Sequence, residues 1–145
     1  MRSLRDYGLF LLSRREYSQR DFTNKLKEKG YDIEGIQALV QEFIGAGWLT
    51  DRRYAENCIR GLSTGRKSRR QIEQYLFDKG IQGDLIKELL EENWSQDDEM
   101  ERIRGHIEKI RRSSVEISRD RIIARLTSRG FKVGLVIKCL DEIIE

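Results

Sequence analysis

Apolar residues recur along the chain at intervals of three and four, and the whole arrangement repeats with a period of 50 residues. Ser18, Phe22, Leu26, Lys29, Gly30 and Tyr31 return as Ser68, Ile72, Leu76, Lys79, Gly80 and Ile81, and again as Ser118, Ile122, Leu126, Arg129, Gly130 and Phe131. Each copy predicts a helix marked at both ends. The serine caps the start by accepting an orphan N–H, the i, i+4 pair makes an apolar stripe, and a cation followed by glycine closes the end. The apolar residue after each glycine is expected to fold back onto the helix just completed.

A further helix flanks each of these on either side. The preceding stripes are Leu4, Tyr7 and Leu11; Tyr54, Cys58, Ile59 and Leu62; Met100, Ile103, Ile107 and Ile110. The following ones are Ile36, Leu39, Val40 and Phe43; Leu85, Ile86, Leu89 and Leu90; Val136, Ile137, Leu140 and Ile143. The pattern predicts an all-α protein of three tandem three-helix repeats, 1–48, 49–94 and 95–145, in an elongated, curved array. Modules of about 50 residues bury too little surface to be comfortably stable alone, so neighbours should touch. Trp48 and Trp94 stand at the two junctions, where each is expected to anchor adjacent repeats.

Composition agrees with helix: proline is absent, and 37% of residues are charged against 38% hydrophobic. No window reaches the roughly 18 uncharged apolar residues of a membrane span, and the N-terminus has no signal-peptide core, so a cytoplasmic location is expected. Cys58 and Cys139 lie on apolar stripes and read as buried, inert thiols. With His106 the only histidine, a zinc site lacks ligands. The run Gly61 to Ser68 misses phosphate-loop spacing because Arg66 intrudes before Lys67. His106 reads as a packed imidazole, and Asp97, Asp98, Glu99 and Glu101 read as first-turn acids behind a Ser95 cap. Neither enzymatic activity nor a cofactor is expected.

The net charge is only +3, but its placement is uneven. Arg14, Arg15 and Arg20 surround the first serine helix start; Arg66, Lys67, Arg69 and Arg70 the second; Lys109, Arg111, Arg112, Arg119, Arg121 and Arg125 mark the third copy. Recurrence at one place in three repeats suggests a positive track, aided by helix N-termini. Acids concentrate between 84 and 101. Phe77 is an aromatic where the other copies have Lys27 and Thr127. It either packs on a neighbouring repeat or anchors a partner.

The run Tyr7 to Ser18, the Leu26-x-x-Lys29-Gly30-Tyr31 and Leu76-x-x-Lys79-Gly80-Ile81 endings, and the block Gly47 to Ala55 resemble the RecX regulatory proteins of bacteria. The resemblance implies a monomeric, non-enzymatic tandem helical array. Such a protein binds the RecA recombinase filament and restrains its strand exchange, ATP hydrolysis and coprotease function in recombination, repair and the SOS response. Single- or double-stranded DNA is a possible additional contact, and no cofactor is implied. Within the Thr50 to Ala55 block the residues read as mainly structural, with only Arg52 and Arg53 free. The alternative is a direct nucleic-acid binder, since paired helices around a glycine turn resemble a helix-turn-helix.

Overall fold

The structure, a computed structural model, describes residues 2–63, 67–113 and 116–144. Among them it is all-helical: α1 (Leu4–Arg14), α2 (Gln19–Glu28), α3 (Ile33–Gly45), α4 (Asp51–Ser63), α5 (Arg69–Asp78), α6 (Gly83–Asn93), α7 (Gln96–Arg112), α8 (Arg119–Ser128) and α9 (Val133–Ile144). Both end signals read from the sequence operate. The Ser18, Ser68 and Ser118 hydroxyls accept the N–H groups of Asp21, Gln71 and Arg121 at 3.1, 3.1 and 3.3 Å. Gly30, Gly80 and Gly130 adopt φ of +91°, +86° and +103°, the left-handed region that costs other residues about 1–2 kcal/mol.

These glycine turns are Schellman motifs. The N–H groups of Tyr31, Ile81 and Phe131 reach back to the carbonyls of Leu26, Leu76 and Leu126, and the glycine N–H groups to Lys27, Phe77 and Thr127. A fourth such turn closes α3 at Gly47 (φ +77°), with the Trp48 N–H on the Phe43 carbonyl. Trp48 lays its ring 5.4 Å from Phe43 and stays 45% exposed. It packs on the end of its own helix. The C″ side chain of this motif packs on C3, and that local contact captures the indole first.

The chain divides into two compact units, residues 1–58 with 76–86, and residues 59–75 with 87–145. In the first, α1, α2 and α3 enclose Phe22, Leu26, Ile36 and Phe43, none of which is solvent-accessible. Gly8 permits the closest approach: a Cβ there would lie 2.9 Å from Leu39 Cδ2 and 3.2 Å from Phe22 and Phe43 ring atoms. In the second, α7, α8 and α9 enclose Ile103, Ile107, Leu126, Phe131, Val136 and Cys139. Ile137, expected in this stripe, is exposed, and Cys139 takes the inward position. On a 3.6-residue period, Cys139 and Leu140 flank Val136 on the buried face, whereas 137 has turned away.

Candidate interaction surface

Most of the candidate cations lie at or just before the starts of α2, α5 and α8, with Phe77 near the end of α5 and Arg125 in the last turn of α8; the packing at each start determines what its cations can do. At α2 the Ser18 hydroxyl is fully buried. The next N–H, of Gln19, donates to Asp51 Oδ1 at 2.8 Å, so the first residue of α4 also caps α2. Burial pushes the Asp51 carboxyl above its ordinary value, partly offset by that N–H and by Arg20. The Gly80 turn closes over the same place. A Cβ on Gly80 would fall 2.7 Å from Arg20 Nε and 2.9 Å from Arg20 Cβ, and Lys79 Nζ pairs with Asp21 Oδ2 at 3.4 Å. Arg20 is thus a lining of a helix joint. Arg14 and Arg15 remain exposed, their guanidinium groups over the rings of Phe10 and Tyr17 at 5.6 and 4.4 Å.

The start of α5 is built alike in the second unit. Ser68 and Gln71 form a reciprocal capping box, Gln71 N–H to Ser68 Oγ and Ser68 N–H to Gln71 Oε1 at 2.9 Å. The Gly130 turn rests on it: a Cβ on Gly130 would lie 2.8 Å from both Arg70 Cβ and Ser68 Oγ. Ser68 Oγ donates to the Arg129 carbonyl at 2.7 Å. Arg70 therefore serves the joint through its aliphatic stem. Arg69 pairs with Glu73 at 3.3 Å, and Lys67 is exposed while its carbonyl accepts Arg102 Nη1 at 2.6 Å. Arg66 lies outside the described residues, as does the side chain of Leu62.

The start of α8 differs from both, because Ser118 is exposed. Arg119 pairs with Asp141 and Arg112 with Glu108. Arg111, Arg121 and Arg125 are exposed and enter no ion pair among the described residues. Arg111 borders an open cleft of about 650 Å³ whose floor is Ile110, Ile117 and Ile122.

Phe77 is the most exposed large apolar side chain described, at 63%. Packing on a neighbour does not explain it. Arg53, read as free, is instead engaged: Nε donates to Glu16 Oε1 at 2.7 Å, and Nη1 and Nη2 donate to the carbonyls of Gly47 and Trp48, both at 3.0 Å. Those carbonyls belong to the turn after α3, and a planar guanidinium can reach all three acceptors at once. Arg52 pairs with Glu56 one turn on. Cys58 is half-buried where full burial was expected; desolvation raises its thiol and that of the buried Cys139.

Ser95 and Asp98 complete a capping box that holds the Asp98 carboxyl below its ordinary value. Glu99, a first-turn acid as read from the sequence, is buried and accepts the Lys132 N–H at 3.4 Å. His106 is buried edge-on to Phe131 with Nδ1 3.1 Å from Arg129 Nη1, which agrees with a packed imidazole. Arg102, which sequence reasoning passed over, is buried with its guanidinium 3.8 Å above the Trp94 ring. Its position directly after the acidic run Asp97 to Glu101 gave no signal of this.

A sequence profile described as the second three-helix domain of RecX matches residues 51–90, which span α4, α5 and most of α6. A regulatory protein RecX from Haemophilus ducreyi is 38% identical over 86 residues, 59% of this chain and 57% of that protein. Another from Trichlorobacter lovleyi is 29% identical over 141 residues, 93% of this chain and 92% of that protein. Along most of its length the chain is similar to RecX proteins. It spans 57% and 61% of the length of the RecX proteins of Haemophilus ducreyi and Legionella pneumophila over which it aligns. The RecX fold extends further than the sequence match: the crystal structure of RecX from Lactobacillus salivarius, 20% identical, superposes with a TM-score of 0.82 over 96% of this chain and 93% of that one. No helix among the described residues is long and apolar enough to cross a membrane.

Proposed function

We propose that this chain is a non-enzymatic cytoplasmic regulator that binds the RecA filament on DNA and mainly restrains its strand exchange, ATP hydrolysis and coprotease activity. Similarity to proteins named regulatory protein RecX supports the regulatory part. The observation that carries the binding part is the exposed set Lys67, Phe77, Arg111, Arg121 and Arg125, cations and one aromatic that the helix joints leave unused. Arg14 and Arg15 add charge of the same sign beside aromatic rings. Aromatic and arginine side chains surrounded by polar surface are the usual anchors of protein interfaces. Each of the three repeats read from the sequence, 1–48, 49–94 and 95–145, carries cations of this kind. Regulation then follows from preference, because a ligand shifts a filament between states only by binding one of them better.

The test is titration of the purified protein into RecA assembled on single-stranded DNA with ATP, following hydrolysis and strand exchange, with a parallel titration of DNA alone. The proposal expects both rates to fall as the chain approaches one per recombinase protomer, and weaker, strongly salt-dependent binding to bare DNA. Unchanged rates at stoichiometric protein would overturn it. Binding to bare DNA as tight as to the filament would favour a nucleic-acid binder instead.

A further inference from the structure

One joint is built twice inside this chain, and its two halves are each left over once. A glycine turn lies on a serine helix start at Gly80 on α2 and at Gly130 on α5. Gly30 is the same turn with nothing within 4 Å of where a Cβ would stand, and Lys29 before it is exposed. Ser118 is the same serine, exposed where Ser18 and Ser68 are fully buried. A surface that fits its complement twice within one chain fits it in a second copy also. Such a head-to-tail contact is heterologous and joins chains into rings or open filaments.

We propose that the start of α8 is a docking surface for the Lys29–Gly30 turn of a second copy, and that the order of charges at positions 120 and 121 holds it shut. At α2 the order is Arg20 then Asp21: the arginine stem covers Gly80, and the aspartate takes Lys79 at 3.4 Å. At α5 it is Arg70 then the neutral Gln71. At α8 it is reversed, Asp120 then Arg121. A second copy's Lys29 would meet Arg121 where Lys79 meets Asp21, and its glycine would lose the long stem that covers Gly80 and Gly130. Like charges brought together in a partly desolvated contact select against a partner more strongly than matched charges select for one. The inference rests on the packing of each unit and stands independently of what the protein regulates.

Exchanging the two residues tests this without altering composition or net charge. The chain and its Asp120→Arg/Arg121→Asp variant are compared by sedimentation velocity and light scattering over a concentration series, with helicity followed by circular dichroism. The wild-type chain is expected to keep the 17.1 kDa mass of one chain throughout. The exchanged variant, which recreates the α2 order, is expected to at least double its weight-average mass with concentration. Adding Lys29→Glu to the exchanged variant should return it to one chain, because the new glutamate then faces the introduced aspartate. The proposal fails if the wild-type chain associates, if the exchanged variant keeps one chain's mass while fully helical, or if Lys29→Glu leaves its association intact. Since α8 begins at the exposed Arg119 and its pairing with Asp141 is untouched, the exchange leaves the core unchanged.

Discussion

The hydroxyl of Ser68 donates to the carbonyl of Arg129 at 2.7 Å while it accepts the N–H of Gln71 at 3.1 Å. One side chain thus caps the helix it begins and ties that start to the end of another. Ser118 caps α8 in the same way but is exposed and makes no such tie among the described bonds. Ser68→Ala should therefore cost about 2 kcal/mol, the sum of a lost cap and a buried carbonyl left without its donor, against about 1 kcal/mol for Ser118→Ala. Urea unfolding of the two variants measures the difference, and equal costs would mean that the tie to Arg129 adds nothing.

The glycine turns grade in the same way. Gly30→Ala meets only the backbone penalty of about 1–2 kcal/mol, since the space around it is open. Gly130→Ala meets Arg70 Cβ and Ser68 Oγ at 2.8 Å as well, which adds about 1–3 kcal/mol of overpacking. Gly80→Ala should resemble Gly130→Ala. Thermal melts of the three variants should rank Gly30→Ala as the mildest.

Arg53 joins Glu16 to the carbonyls of Gly47 and Trp48. A lysine keeps the charge but offers a point instead of a fork. Arg53→Lys should lower stability by about 1–2 kcal/mol, with helicity retained, while Arg52→Lys, at an exposed i,i+4 pair with Glu56, should stay within about 0.5 kcal/mol. Denaturant midpoints for the two neighbouring variants make the comparison.

Asp51 gives the stability a pH signature of unusual sign. Its carboxyl is raised in the folded chain by burial, so the folded form takes up the proton first as pH falls. Its contribution is unfavourable above the raised value and is relieved as pH drops through that value toward the ordinary carboxylate range. Asp51→Asn, which keeps an acceptor for Gln19 N–H, should gain under about 1 kcal/mol at neutral pH, a small figure because the group is half exposed to screening solvent. That gain should vanish at about pH 3, below the ordinary carboxylate range. A gain that grows on acidification would reverse the assignment. Asp98, held low by Ser95, contributes with the opposite sign: its contribution is present above the ordinary range and lost below it.

Phe77 separates partner binding from folding. At 63% exposure its replacement by alanine should change stability by no more than about 0.5 kcal/mol. If it anchors the recombinase filament, the same variant should need roughly tenfold more protein to restrain ATP hydrolysis. Reversing Lys67, Arg111 and Arg125 to glutamate should weaken the effect similarly at low salt, again with helicity intact. Filament binding unchanged in all of these would assign the interaction to another face.

The sequence by itself determined the helices and their ends. A period of 50 residues, a serine before each apolar stripe and a glycine after it specify backbone conformation through bonds no longer than one helical turn, and such bonds form wherever the residues stand in that order. It also carried the resemblance to RecX proteins through the Gly47 to Ala55 block and the repeated glycine endings. Only tertiary structure decided which cations serve the joints. Arg20 and Arg70 sit beside glycines 60 positions away, Arg53 reaches Glu16, and Arg102 lies on Trp94 beneath the Lys67 carbonyl. In sequence these arginines look no different from the exposed Arg121 and Arg125. A guanidinium's role depends on which acceptors and which bare backbone the packing brings within about 3 Å, and that distance is set by contacts far apart in the chain.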